Sequence, residues 1–227
     1  MSSTILSTKV LTPSQKALAL NAGLGLVEYN AISIKYLRFQ LPNVGANALI
    51  FSSQNGVKAY LEHIGHRSLQ EKKRLKLQSF CVGEKTEQLL EQNGFRVKVS
   101  ASSAIALGTI ITENYPSLHF LWPTGNQRRD ELPQMLEQKK IAFNELTVYQ
   151  TIANTKKMDA YFDGILFFSP SAARSFVEKN SISGVAFCIG NTTAQEIKKY
   201  TDNYIIATKP TIENVLVQAV KRLIYHD

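Results

Sequence analysis

Asn47–Glu62 reads NALIFSSQNGVKAYLE and Asp163–Glu178 reads DGILFFSPSAARSFVE. The two lie over one another without a gap, setting Phe51 over Phe167, Ser53 over Ser169, Lys58 over Arg174, Tyr60 over Phe176 and Glu62 over Glu178. Each begins with an apolar run rich in aromatic and branched residues, passes through small polar residues, and continues at helical spacing. That is the pattern of a strand, a tight turn and a helix. Val57, Tyr60, Leu61 and Ile64 fall at i, i+3, i+4 and i+7, so the first helix presents one apolar stripe to a sheet. Ile212, Val215, Leu216 and Ala219 do the same near the end of the chain.

A second pair follows each copy. FCVGEKTEQLL from Phe80 lies over FCIGNTTAQEI from Phe187, with Phe, Cys, Gly, Thr and Gln shared, five positions of eleven. Average residue usage gives about one match by chance, so this is duplication. A fainter pair sets TILSTKVLTPSQKALAL near the start beside HFLWPTGNQRRDELPQML from His119. The order a, b, a′, b′ gives two similar halves of about 100 residues, close to ordinary domain size.

Further short apolar runs complete the alternation expected of mainly parallel sheets covered by helices. The expected strands are Ile5–Val10, Ala48–Ser52, Ser79–Val82, Arg96–Val99, Leu118–Trp122, Gly164–Phe168, Val185–Ile189 and Tyr204–Ala207. Val27–Ile34 and Asn144–Ile152 alternate apolar and polar residues where the halves join, and read as extended linker strands.

Composition narrows the function. The 227 residues are 44% hydrophobic and 19% charged, which excludes disorder, collagen and coiled coil. No apolar run nears the roughly 20 residues of a membrane span, and MSSTILSTKV lacks the features of a signal peptide, so a cytoplasmic location is expected. Cys81 and Cys188 are too few for a disulfide framework and are read as strand-core residues. The net charge of +8 admits nucleic acid, an anionic membrane surface or a polyanionic small molecule. Its densest basic stretch, Arg67–Lys76, has no interleaved aromatic residues for base stacking and reads as a solvated loop.

Five turns follow strands and open helices: Ser52–Asn55, Gly83–Thr86, Gly125–Arg128, Ser169–Ser171 and Gly190–Thr193. First-turn N–H groups lack intrahelical acceptors and carry partial positive charge, so such ends attract carboxylates. Ser, Thr, Asn and Gly are also ordinary helix caps, and both readings stand. In open parallel sheets a ligand lies beyond the carboxyl ends of the strands, where these turns fall. His63, His66, His119 and His226 have no metal-ligand spacing, and no P-loop, complete GxGxxG or GxSxG elbow occurs. The expectation is chemistry without metal, nucleotide or other cofactor, and without a covalent nucleophile.

IFSSQNGV from Ile50, CVGEKT from Cys81, WPTGNQRRDELP from Trp122, LTVYQT from Leu146, FFSPSA from Phe167, CIGNTTA from Cys188 and ATKPT from Ala207 together resemble the uroporphyrinogen-III synthase family. The resemblance spans nearly the whole chain. It implies two flavodoxin-like α/β domains with parallel sheets, joined by a two-stranded β-ladder, with the substrate in the cleft between them. One domain would combine residues 1–33 with 153–227, and the other would span 36–147. It also implies an activity: hydroxymethylbilane, a linear tetrapyrrole polycarboxylate, is cyclised with loss of water and inversion of its last ring, in haem biosynthesis.

By the same resemblance Tyr149 matches the family's cleft tyrosine and is the candidate for assisting hydroxyl departure, against a reading as a packed strand tyrosine. Ser53, Thr86, Gly125, Asn126, Arg129, Ser169, Ser171, Thr192 and Thr193 are the implied substrate-binding positions. Arg129 also suits a surface ion pair. Two departures stand out: Thr8-Lys9-Val10 replaces the family's Thr-Arg-Pro, and Ser52-Ser53-Gln54 replaces Thr-Ser-Pro. Lys9 keeps the charge without arginine's two-pronged geometry. No nucleic acid, membrane or second subunit is implied, so the expected state is a monomer. The alternative function is a non-catalytic binding module for an anionic small molecule.

Overall fold

The computed structural model describes residues 3–65 and 77–225. The basic stretch Arg67–Lys76, with His66 and His226, lies outside them. The chain divides into two compact units, Met1–Ser33 with Ile152–Asp227, and Ile34–Thr151.

The first unit opens with β1 (Thr4–Ser7), α1 (Pro13–Leu20) and β2 (Gly25–Glu28). After β3 (Ile32–Tyr36) the second unit adds β4 (Ala48–Phe51), α2 (Gln54–Gly65), β5 (Gln78–Val82), α3 (Glu84–Gln92), β6 (Arg96–Ala101), α4 (Ala104–Asn114), β7 (His119–Gly125) and α5 (Glu131–Gln138). Through β8 (Ala142–Ala153) the chain returns to β9 (Gly164–Phe167), α6 (Pro170–Val177), β10 (Val185–Cys188), α7 (Asn191–Ile197), β11 (Tyr204–Ile206) and α8 (Ile212–Val220).

In the first unit the sheet order is β2-β1-β9-β10-β11, and every pair is parallel. This is the flavodoxin-like order 2-1-3-4-5. The second unit has β8-β7-β4-β5-β6, also parallel, with β3 added beside β8 at the edge. Counted from β7, its order is again 2-1-3-4-5, circularly permuted. The sequence pairing therefore has a spatial meaning: β4 corresponds to β9, β5 to β10 and β1 to β7. Phe51 is in register with Cys81, as Phe167 is with Cys188. The Phe51–Tyr60 rings meet edge to face at 5.6 Å and 70°, and the Phe167–Phe176 rings at 5.7 Å and 72°.

Successive strand residues point to opposite faces, so each sheet builds two cores. Leu6, Ile165, Phe167 and Cys188 pack with α6 and α7, while Ile5, Leu166, Phe187 and the α8 residues Val215 and Leu216 fill the other face. In the second unit Leu49, Phe51 and Cys81 pack with α2 and α3; Ile50, Phe80, Phe120 and Trp122 pack with α4 and α5. Both cysteines are free and buried, and burial pushes the Cys188 thiol up to about 12.

Several boundaries depart from expectation. β1 stops at Ser7, because Thr8 turns its hydroxyl to the Leu166 carbonyl at 2.6 Å and Ser7 donates to the Lys9 carbonyl. The expected linkers are themselves sheet strands: Val27 belongs to β2, and β8 pairs with β7 from Ala142 onward. β7 runs past Pro123 to Gly125. Its pairing with β4 involves Phe120 and Leu121, so the proline's missing N–H costs no ladder bond on that side.

Candidate functional site

Where β4, β6 and β7 end in the second unit, the chain leaves a hollow of about 410 Å³. Its walls include Ser52 and Ser53 after β4, Ser102 and Ser103 after β6, Trp122 and Thr124 of β7, and Gln127, Arg128 and Arg129 beyond it, with Tyr149 from β8. No aspartate or glutamate lines it among the described residues. This is the carboxyl-end position at which open parallel sheets bind ligands.

Tyr149 is set by three neighbours. Its hydroxyl lies 3.1 Å from Ser53 Oγ. Ser53 Oγ also accepts the Gly56 N–H at 3.1 Å, capping α2. The ring also lies against Gly125, where a Cβ would come within 2.5 Å of Tyr149 Cε2 and Cζ. A register shift between Thr124 and Gly125 places that glycine opposite Tyr149. Asn126 anchors the same turn, donating its N–H to the Tyr149 carbonyl and accepting the Thr151 N–H on Oδ1 at 2.9 Å. Gly56 itself sits where a Cβ would meet the Pro123 carbonyl oxygen at 2.8 Å, which ties the start of α2 to β7.

Trp122 forms the hollow's buried apolar wall and donates from Nε1 to Ser52 Oγ at 3.2 Å. Arg128 lies over its ring, with Cζ 5.9 Å from the centroid. Arg128 pairs through Nε with Glu145 at 2.7 Å and through Nη1 with Asp130. The Glu145 hydrogen bond pushes the guanidinium further up against the opposing effect of burial, so it stays charged.

The structure thus brings Ser53, Gly125, Asn126, Arg129 and Tyr149 to one place. Thr86 is buried inside α3 and does not line the hollow. Ser169, Ser171, Thr192 and Thr193 stand at the matching strand ends of the first unit. Ser169 caps α6 by accepting the Ala172 N–H at 3.1 Å, the equivalent of Ser53 on Gly56. Thr193 is buried and Thr192 exposed. Thr86 and Thr193 are buried, and their own N–H groups donate to the Gly83 and Gly190 carbonyls at 2.9 and 3.1 Å.

Sequence reasoning missed Ser102 and Ser103, and took Arg128 only as the end of the Gly125–Arg128 turn. Ser102-Ser103 follows a strand and opens a helix just as Ser52-Ser53 does, and Ser103 caps α4 at Ala106, so the signal was present. Arg128 makes ion pairs of its own, since the adjacent β8 places Glu145 beside it. Among the described residues no group of three or more histidine, cysteine, aspartate or glutamate side chains is placed to hold a metal. Among them, too, no helix is long and apolar enough to cross a membrane.

Two copies of a flavodoxin-like sheet, one circularly permuted and with a polar hollow beyond its strand ends, define a two-unit α/β protein. The family model for uroporphyrinogen-III synthase HemD matches residues 15–216, and the chain belongs to that family. It is 24% identical over 186 residues to the porphyrin biosynthesis protein HemD of Ruminiclostridium josui, a match covering 74% of this chain and 36% of that relative's length. The crystal structure of uroporphyrinogen-III synthetase from Helicobacter pylori 26695 is similar with a TM-score of 0.75 and 22% identity, over 97% of this chain and 99% of the other. A mutant uroporphyrinogen III synthase from the extremely thermophilic bacterium Thermus thermophilus is similar at 0.73 and 13% identity, over all of both chains. At those identities the likeness speaks for the fold.

Proposed function

We propose that the protein cyclises hydroxymethylbilane to uroporphyrinogen III, losing water and inverting the last pyrrole ring. The observation that carries this is the placement of Tyr149. In a chain of this family, a phenol is held at the wall of a polar hollow that has arginines and no carboxylates. Such a hollow suits carboxylate arms, which gain from Arg129, the serine hydroxyls and the N–H groups at the start of α2 and α4.

Tyr149 donates a hydrogen bond to the departing hydroxyl. The C–O bond breaks with its electron pair going to oxygen, which takes the phenolic proton and leaves as water. The pyrrole nitrogen lone pair fills the resulting cation, and the N–H proton it releases restores the phenol, giving a neutral azafulvene. Attack from the substituted carbon of the last ring, fragmentation of the spiro intermediate and reclosure then follow without further groups from the protein. Because the free substrate also closes unaided without inversion, the main contribution is to hold a curled conformer. Positioning of this kind supplies up to about 7–11 kcal/mol in favourable cases.

The Thr86 turn, through neighbouring backbone N–H groups, and Asn126 are proposed to complete carboxylate binding in the second unit. The helix starts at Ser169, Ser171, Thr192 and Thr193 are the proposed carboxylate-binding groups of the first. The proposed domains are residues 1–33 with 153–227 and residues 36–147, in a monomeric, cytoplasmic enzyme that needs no cofactor. Incubating the protein with fresh hydroxymethylbilane, oxidising the products and separating isomers tests the reading. Isomer III is expected; isomer I alone, as in buffer, would leave only the binding-module alternative.

A further inference from the structure

Ser53 and Tyr149 come from different parts of the chain, 96 positions apart, yet their hydroxyls meet at 3.1 Å on the wall of the hollow. Ser53 Oγ is also the acceptor for the Gly56 N–H at 3.1 Å. A serine hydroxyl has one proton and two lone pairs, and a phenol likewise both donates and accepts. An oxygen that already accepts a hydrogen bond becomes the better donor, because hydrogen bonds in a chain polarise one another. Partial positive charge at the start of α2 acts in the same direction.

We propose that Ser53 is a positioning residue whose O–H points at Tyr149 Oη, so that a chain from Gly56 N–H through Ser53 to Tyr149 leaves the phenolic proton directed into the hollow. The inference rests on the proposed synthase activity and deepens it. Without Ser53 the phenol's oxygen loses its donor, and its proton is free to rotate away from the departing hydroxyl. While the proton resides on the leaving water, the Ser53 O–H is the group that stabilises the phenolate oxygen. The ring also packs against Gly125, so the hydroxyl is positioned by a hydrogen bond and by a close backbone contact.

This role differs from helix capping, which Ser53 also performs, and a double-mutant cycle separates the two. Formation of isomer III is measured for wild type, Ser53→Ala, Tyr149→Phe and the double variant, with kcat and KM resolved. Ser53→Ala is expected to lower kcat about 10-fold or more, a part of the 10²–10⁴ typical of a positioned acid, with a smaller change in KM. In the Tyr149→Phe background the same substitution is expected to cost nothing further, and Ser53→Thr, which keeps the hydroxyl, to recover most of the loss. Should Ser53→Ala fold poorly, Ser53→Asp keeps a good cap but offers no donor. Its kcat should fall only when Tyr149 is present, while repulsion of the substrate appears in KM in both backgrounds.

Equal losses in both backgrounds, no loss at all, or an inert Tyr149→Phe each overturn the inference while wild type still yields isomer III. A wild-type protein that yields only isomer I removes the synthase reading itself, and the inference with it.

Discussion

Gly125→Ala places a methyl group where the structure has no room for one. The new Cβ would lie 2.5 Å from Tyr149 Cε2 and Cζ and 2.9 Å from its hydroxyl oxygen. Carbon atoms rest at about 3.5–4.0 Å, so the ring must retreat by about 1 Å. A displacement of about 1 Å removes the hydroxyl from its 3.1 Å hydrogen-bonding position beside Ser53, since hydrogen-bond geometry tolerates only a few tenths of an ångström. A misplacement of about 1 Å at a reacting group costs on the order of 100-fold in rate, or about 2.7 kcal/mol of barrier. Overpacking of this kind also costs about 1–3 kcal/mol of stability, so melting is followed in parallel at a temperature where the variant stays folded. The assay is kcat for isomer III, in wild-type and Tyr149→Phe backgrounds. A loss near 100-fold in the first and little further loss in the second is expected. A Gly125→Ala enzyme within about 3-fold of wild type would refute the claim that this glycine sets the tyrosine.

The first unit carries a pH-dependent element in Glu196. Burial raises its carboxyl, but hydrogen bonds from Lys199, Tyr200 and Arg174 outweigh burial and hold it below the usual range. A depressed carboxyl contributes stability that is fully present above the unfolded value and is lost as pH falls through the folded one. Wild type should therefore be more stable than Glu196→Gln by about 1–2 kcal/mol at neutral pH, a figure discounted because the Arg174 and Lys199 side chains are 48% and 62% exposed. The gap should close on acidification; a gap constant with pH contradicts the assignment. Thr12 and Gln15 form a reciprocal capping box at the start of α1, so Thr12→Ala should cost about 1 kcal/mol in denaturant titrations and leave isomer III formation intact. Trp122 is the only tryptophan and lines the hollow, so its fluorescence should change saturably on adding uroporphyrin, with affinity falling as salt rises. An emission spectrum indifferent to that ligand would place binding elsewhere.

The duplicated stretches are legible because they are core. Phe51 with Tyr60 and Phe167 with Phe176 make the same ring contact in both units, and that shared demand preserves side-chain size even where identity is lost. β2 reads as linker because it lies at a sheet edge, half-buried at most, with Val27 exposed; its residues carry too weak an apolar pattern to announce a strand. The reach of β8 depends on pairing with β7, a non-local event. Within the site, the turn residues Ser53 and Gly125 are visible as chemistry, but not their common contact with Tyr149. That contact needs the shift in the β7–β8 pairing, which no local pattern encodes. For the same reason the pairing of Arg128 with Glu145 is not legible locally: strand register brings the two together.

In the proposed reaction the hollow of the second unit holds the reacting end of a polycarboxylate tetrapyrrole against Tyr149. A crystal structure of the protein with uroporphyrinogen III bound tests it most directly. A pyrrole ring is expected in that hollow, with a ring-linking carbon close to Tyr149 Oη and carboxylates on Arg129 and the α2 and α4 N-termini. A ligand bound with the hollow empty and Tyr149 untouched would contradict it.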